Sequence, residues 1–170
     1  MHRQPTLLNS CALAASAAEA RFRIESPDPP RRASRVIALD EKAAAVVRRL
    51  SDRHWRGGHF LVFEAVVPGN GAGGARFDAT LRTADGTAVL LSDELHEADV
   101  AVVIATEEVS PEVASLVGDA CAARKIMSAG LVVSEDGVDN AVSALRPNAM
   151  VLLVLKDEND IPPILTALRV

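Results

Sequence analysis

The chain has 170 residues, 49% of them hydrophobic and 24% charged, a composition typical of one globular domain with a sizeable core. Aromatic residues make up only 3% and the net charge is −5, which disfavours proteins that stack bases on rings or neutralise a phosphate backbone. No apolar run approaches the roughly 20 residues that span a bilayer. These totals predict a cytoplasmic protein with no nucleic-acid partner and no membrane insertion.

The first 34 residues are predicted to lie outside the main domain. Residues 6–20 are rich in alanine and predict a peripheral helix, and residues 26–34 form a proline-rich linker. The basic start followed by small residues loosely resembles a signal peptide, but Asn9 and Ser10 interrupt its short apolar run. The helix is the favoured interpretation, and processing of the first 20 residues in the cell stays open.

Residues 35–170 are predicted to form a single α/β domain that opens with a β-α-β unit. A short apolar strand covers residues 35–39, and apolar positions at helical spacing predict a helix over 41–53. Gly57 and Gly58 end that region, and a second strand follows at 59–67.

An insertion is predicted over residues 68–91, made of a glycine-rich loop and a hairpin. Asp85-Gly86 is a strong turn signal between two short strands, so residues 75–91 read as an antiparallel hairpin. Its exposed edge predicts self-association, as a homodimer, through pairing with another chain.

The loop itself matches G-x-G-x-x-G at Gly69, Gly71 and Gly74. In a dinucleotide-binding loop the third glycine opens a helix whose N-terminus faces the pyrophosphate. Here the following residues alternate like a strand, so a flexible connector is favoured over a phosphate-binding loop.

Three apolar runs in the C-terminal half predict buried parallel strands, because they are apolar on both faces and alternate with helical patterns. Ser110-Pro111 marks a helix start. The strands cover 98–106, 126–134 and 150–156, and the helices cover 92–97, 111–123, 136–145 and 161–168. The predicted fold is a Rossmann-like three-layer α/β domain with a mostly parallel sheet of about five strands and an inserted β-hairpin.

Polar residues gather where these strands end. In parallel α/β sheets ligands bind beyond the carboxyl ends of the strands, and carboxylates there could bind Mg²⁺. Acids also suit solvated helix N-termini without any ligand. The candidate ligand-binding residues are Asp40, Glu41, Thr106, Glu107, Ser110, Ser134 and Lys156, with Mg²⁺ or a nucleotide as the possible cofactor and no residue assigned to catalysis.

The two cysteines are far apart and lack metal-ligand spacing, which favours a reduced protein. Cys121 falls among small residues of a predicted helix, so the sequence predicts a buried structural thiol.

The chain resembles the GTPase domain of FtsZ and tubulin over residues 35–67 and 92–160. The resemblance is carried by DELHEADVAVVIAT, AARKIMSAGLVVS and SALRPNAMVLLVLKDEND, which are similar to the family's successive strands and helices. The family's glycine-rich signature should follow Thr106, where this chain has Glu107-Glu108-Val109-Ser110, and its glycine-rich first loop is missing after Leu39. The resemblance therefore implies a degenerate member that has lost GTP hydrolysis.

A rival resemblance is to the receiver domain of response regulators. RVIALDE is similar to a receiver's first strand with its acidic pair, Asp40 and Glu41, and Ser134 and Lys156 match the hydroxyl residue and the lysine after the later strands. The phosphoacceptor aspartate is replaced by Thr106. This resemblance implies an interaction module without a phosphorylation switch.

Each motif thus lacks a residue that its chemistry needs. The sequence favours a non-catalytic regulatory or protein-interaction domain over an enzyme. The alternative is a small-ligand, nucleotide or Mg²⁺-binding enzyme that uses the carboxyl ends of the strands.

Overall fold

The structure is a computed structural model that describes residues 32–69, 77–134 and 139–170. The predicted N-terminal helix and most of the linker lie outside these residues. The described strands are β1 (Ser34–Ala38), β2 (Gly58–Pro68), β3 (Phe77–Thr83), β4 (Ala88–Leu90), β5 (Val100–Ala105), β6 (Met127–Val133) and β7 (Val151–Leu155). The described helices are α1 (Glu41–Ser51), α2 (Leu91–His96), α3 (Pro111–Ala123), α4 (Asp139–Leu145) and α5 (Ile161–Ala167), with a 3₁₀ turn at Glu158–Asp160.

The sheet confirms the predicted fold class. Its strand order is β4-β3-β2-β1-β5-β6-β7. The five strands from β2 to β7 in this order are parallel, and β3 and β4 add an antiparallel hairpin at one edge. The sheet has seven described strands rather than the predicted five or so, because the two strands of the hairpin pair with the main sheet. Numbered among themselves, the parallel strands follow the 2-1-3-4-5 order of doubly wound folds.

The centre of the sheet consists of β1 and β5, which pair in parallel from Ser34 opposite Val100 to Ala38 opposite Ile104. Every residue of both strands is buried. Such strands need apolar side chains on both faces, which is why VAVVIA shows no alternation in the sequence. The apolar runs therefore predicted these strands correctly.

Helices cover both faces of the sheet and create two hydrophobic cores. The helices α2, α3 and α4 pack on one face, where Leu95, Val117 and Leu145 are buried. On the other face lie α1 and α5, with Val47 and Leu165 in the core. The three predicted layers are thus present. Within the described residues, no helix has the length and hydropathy needed to cross a membrane.

The hairpin forms around the predicted Asp85-Gly86 turn. Gly86 has a φ of 89°, a conformation that side chains with a Cβ rarely adopt. Residues 70–76 of the glycine-rich loop, including Gly71 and Gly74, lie outside the described residues. The chain enters a strand at Phe77, as predicted, and β2 and β3 pair there as antiparallel strands.

Candidate functional site at the carboxyl ends of the strands

The carboxyl ends of β5, β6 and β7 open onto a cleft of about 770 Å³. It lies beside α1, and its lining includes four of the predicted site residues, Thr106, Glu107, Ser134 and Lys156. The remaining lining residues are Lys42, Val46, Arg49, Val133, Asp157 and Glu158. Asp40, Glu41 and Ser110 do not line it.

Asp40 fastens the ends of β1 and β5 together. Its Oδ1 accepts a hydrogen bond from the Ala43 N–H at 2.8 Å, which caps α1. Its Oδ2 accepts from the Thr106 N–H at 2.7 Å, and the Thr106 hydroxyl donates to Oδ1 at 3.0 Å. Both carboxylate oxygens are therefore already bonded to the chain itself, at the point where doubly wound folds bind ligands.

Lys42 connects α1 to the loop that follows β5. Its Nζ lies 2.6 Å from Oε1 of Glu107 and 3.1 Å from Oε1 of Glu108. The hydrogen bond to Glu107, followed by that to Glu108, raises the pKa of Lys42 above its ordinary value. The pKa of Glu107 is lowered, mainly by Lys42 and to a smaller extent by a hydrogen bond from the Ser134 side chain. Glu107, predicted as a ligand, is thus partly neutralised by a lysine of α1.

A second ion pair crosses the cleft. The Arg49 guanidinium lies 2.5 Å from Oε2 of Glu158, which joins α1 to the 3₁₀ turn after β7. Asp157 caps that turn, because its Oδ1 accepts hydrogen bonds from the backbone N–H and the side-chain amide of Asn159. The side chain of Lys156 is exposed and, among the described residues, it has no ion-pair partner.

Sequence reasoning missed Lys42 and Arg49. With Val46 they stand at positions i, i+4 and i+7 of α1, so a helical projection places all three on one face. That face flanks the strand ends. The predicted candidates all came from the residues that follow the strands or begin the next helix, so the side of α1 that faces the cleft was not among them.

Glu41 and Ser110 have local partners instead of a place in the cleft. Glu41 pairs with Arg48 on the exposed side of α1 at 3.1 Å. The Ser110 hydroxyl donates to Glu112 at 2.5 Å and lowers the pKa of that carboxylate. Ser110 stands at the N-cap position of α3, but no hydrogen bond from its side chain caps the helix.

The cleft offers three cations, Lys42, Arg49 and Lys156, and three acids, so its charges nearly balance. Two of the cations are already paired with acids of the chain. In the described part of the chain, no group of three or more His, Cys, Asp or Glu residues is arranged to hold a metal ion. Of the three cations that line the cleft, Lys156 is the one without an ion-pair partner among the described residues.

A second polar cluster lies near the opposite ends of the strands. Arg35, at the start of β1, is only 4% exposed, and its Nε lies 2.6 Å from Oε2 of Glu94 in α2. The N–H is not directed at that oxygen, so the contact is an ion pair rather than a directed hydrogen bond. His59 Nδ1 approaches the same oxygen at 3.2 Å. No local pattern predicts this pairing, since 59 positions separate Arg35 from Glu94.

Cys121 is buried in α3, as predicted, with 1% of its surface exposed. Burial raises the pKa of its thiol to about 11, and only the thiolate is strongly nucleophilic. We expect a thiol reagent at pH 8 to leave Cys121 unmodified in the folded protein and to modify it after unfolding, as followed by peptide mass spectrometry. A Ser115→Cys variant, on the exposed side of the same helix, provides the reactive control. Rapid native labelling of Cys121 would contradict its burial.

The chain was compared with known proteins in three ways. A scan against protein-family models, a search of curated proteins and a search of solved structures each gave no match.

Proposed function

We propose that this domain is a non-catalytic, FtsZ-like or Rossmann-like module that regulates or binds another protein and has lost nucleotide hydrolysis. The observation that carries the proposal lies at the carboxyl ends of β1 and β5, the switch point where the order of the parallel strands reverses and doubly wound folds bind ligands. Hydrogen bonds within the chain already occupy this point. Both carboxylate oxygens of Asp40 accept hydrogen bonds there, from Ala43 and Thr106. The N–H groups of Ala43 and Thr106 at this point are therefore bonded to a carboxylate of the chain itself, which supports the loss of a nucleotide site.

The electrostatics of the same region support this proposal. Nucleotide phosphates in doubly wound folds bind to backbone N–H groups of a glycine-rich loop and a helix N-terminus. Here the N-terminus of α1 is capped by a carboxylate and followed by Glu41. The loop after β5 adds Glu107 and Glu108. A triphosphate at the N-terminus of α1 would lie beside these carboxylates, of which Lys42 pairs with Glu107 and Glu108, and the Ala43 N–H there is already bonded to Asp40.

Kinship with FtsZ and tubulin is part of the proposal and rests on the sequence resemblance of residues 35–67 and 92–160. The described strands and helices of these segments alternate as that resemblance requires. The loss of hydrolysis rests on Glu107-Glu108-Val109-Ser110, which stands in place of the family's glycine-rich signature.

A second candidate is a small-ligand site in the cleft, either for a nucleotide or for another anion. Lys156 favours it, because its ammonium has no ion-pair partner among the described residues and lines the cleft near Thr106 and Ser134. This candidate predicts a ligand whose anionic group binds Lys156.

Thermal unfolding with GTP, ATP, NAD and Mg²⁺ separates the two candidates. A nucleotide present at 100 times its dissociation constant would add about 2.7 kcal/mol to stability, or roughly 5–10 °C in a domain of this size. We expect changes of less than about 1 °C with every compound, because the switch point is closed. A clear rise that Lys156→Gln abolishes, while the exposed Lys125→Gln control retains it, would replace the proposal with the ligand site.

A further inference from the structure

The last described strand of the sheet, β7, has an apolar edge that no other described strand covers. Among the described strands it pairs only with β6. Val151, Leu153 and Val154 are 50%, 37% and 47% exposed, and Met150 just before them is 73% exposed. Val151, Leu153 and Val154 take no part in either hydrophobic core. The exposed side chains therefore contribute little to the fold of the single chain.

This edge lacks the features by which proteins prevent accidental pairing. Natural edge strands are kept very short, carry charges or proline, or contain a bulge. The opposite edge follows that rule, because β4 has three residues. By contrast, β7 is the uncharged sequence VLLVL and pairs regularly with β6 over all five residues. An exposed edge of this kind is a template for another strand.

The backbone of β7 fixes how a second strand can add. The Leu155 carbonyl oxygen accepts a hydrogen bond from the Ser134 N–H at 3.0 Å, on the β6 side. Backbone groups alternate along a strand, so those of Leu153 also face β6 and those of Leu152 and Val154 face outward. A second strand can form hydrogen bonds with β7 only if its own outward-facing N–H and C=O groups lie opposite those of β7. An antiparallel copy centred on Leu153 satisfies this condition, since each Leu152 then faces a Val154.

The flanking charges favour the same antiparallel arrangement. Three exposed cations lie near the amino ends of β6 and β7, namely Arg124, Lys125 and Arg146. Beyond the carboxyl end of β7, Asp157, Glu158 and Asp160 outnumber two cations, Lys156 and the Arg49 that pairs with Glu158. Antiparallel pairing brings the acidic end of one copy toward the basic end of the other, whereas parallel pairing brings like charges together. Within β7 itself every residue is uncharged, so no like charges stand in opposite positions.

We propose that the partner of this interaction surface is a second copy of the same chain, bound antiparallel along β7 in a two-fold dimer with Leu153 on the axis. The proposal deepens the proposed function, because it names the partner of the interaction module. A two-fold arrangement closes on itself and uses the same surface on both copies. The hairpin edge, predicted from the sequence as the dimer contact, is the shorter of the two edges.

Analytical ultracentrifugation of the full chain tests the dimer directly. We expect the wild type to be dimeric at micromolar concentration and Leu153→Lys to weaken the dimer by about a hundred-fold or more, because two lysines then meet on the axis. The matched control is Val66→Lys, which changes an exposed valine of β2 with 49% exposure and should leave the dimer intact. Circular dichroism should show the same melting temperature for monomeric Leu153→Lys at low concentration as for the diluted wild type.

Charge reversal tests the antiparallel direction. Arg146 and Asp160 lie at opposite ends of β7, equally far from Leu153 in the sequence. Arg146→Glu alone and Asp160→Lys alone should each weaken the dimer, and the two together should recover most of the loss. Recovery is expected only if the two ends of β7 face each other across the axis.

Running the same sedimentation experiments with GTP and Mg²⁺ separates this proposal from the proposed function. A wild type that stays monomeric up to about 1 mM, or a dimer that Leu153→Lys does not weaken, overturns the β7 dimer and leaves the loss of nucleotide binding untouched. A dimer that is sensitive to Leu153→Lys but forms only with GTP supports the β7 contact and shows nucleotide binding, which overturns the closed switch point on which the proposed function rests.

Discussion

Glu94→Ala is expected to lower the free energy of unfolding by about 3–5 kcal/mol, the usual cost of removing one partner of a buried ion pair. Arg35 is only 4% exposed, at the start of β1. The carboxylate of Glu94, 2.6 Å from its Nε, is the charge that compensates it. His59 also contacts Glu94, but its side chain is largely exposed and can be solvated after the substitution. Urea denaturation followed by circular dichroism measures the loss.

Two further variants make this prediction specific to the buried charge. Glu97→Ala removes an exposed acid that lines the same region, and it should change stability by less than about 0.5 kcal/mol. Arg35→Met combined with Glu94→Leu removes both charges and should recover most of the stability lost in Glu94→Ala. If Glu94→Ala cost less than 1 kcal/mol, Arg35 would have to be solvated or compensated in another way.

The fold was predictable because its strongest signal is local. Runs such as VAVVIA are apolar at every position, and only a strand buried on both faces requires that pattern. The turn at Asp85-Gly86 was equally local, since the conformation of Gly86 follows from the turn type.

The position of the candidate site could be predicted from the sequence, but the ion pairs within it could not. The strand ends converge because parallel strands share one direction, so Thr106, Glu107, Ser134 and Lys156 line one cleft. Their partners come from elsewhere in the sequence: Lys42 reaches Glu107, and Arg49 reaches Glu158 over 109 positions. Such pairings depend on how α1 packs across the sheet, and no local pattern encodes them.

The exposed edge was also beyond sequence reasoning. VLLVL predicts a buried strand as strongly as the central strands do, because an apolar run does not reveal where its strand lies in the sheet. Only the strand order puts β7 at the edge, with Leu153 and Val154 uncovered. Burial among the described residues does not explain why an edge strand is apolar, whereas pairing with a partner strand would explain it.

Asp40→Ala is the second substitution with a large expected effect, a loss of about 2–4 kcal/mol in the free energy of unfolding. About 0.5–2 kcal/mol comes from losing the cap of α1. The Thr106 N–H, in a residue only 4% exposed, would also lose its acceptor, and an unsatisfied buried donor costs about 1–3 kcal/mol. The same equilibrium denaturation experiment measures the sum.

Glu41→Ala is the matched control, because it removes the neighbouring carboxylate, whose side chain is 81% exposed and pairs only with Arg48 among the described residues. Its effect should stay within about 0.5 kcal/mol. A double-mutant cycle of Asp40→Ala with Thr106→Val isolates the hydroxyl contact, and we expect a coupling of about 1 kcal/mol. Asp40 would instead belong to a ligand site if Asp40→Ala left stability unchanged and abolished a thermal shift produced by GTP or Mg²⁺. A carboxylate that the fold needs at the switch point is not free to bind a ligand there, so the size of the stability loss bears directly on the function of this domain.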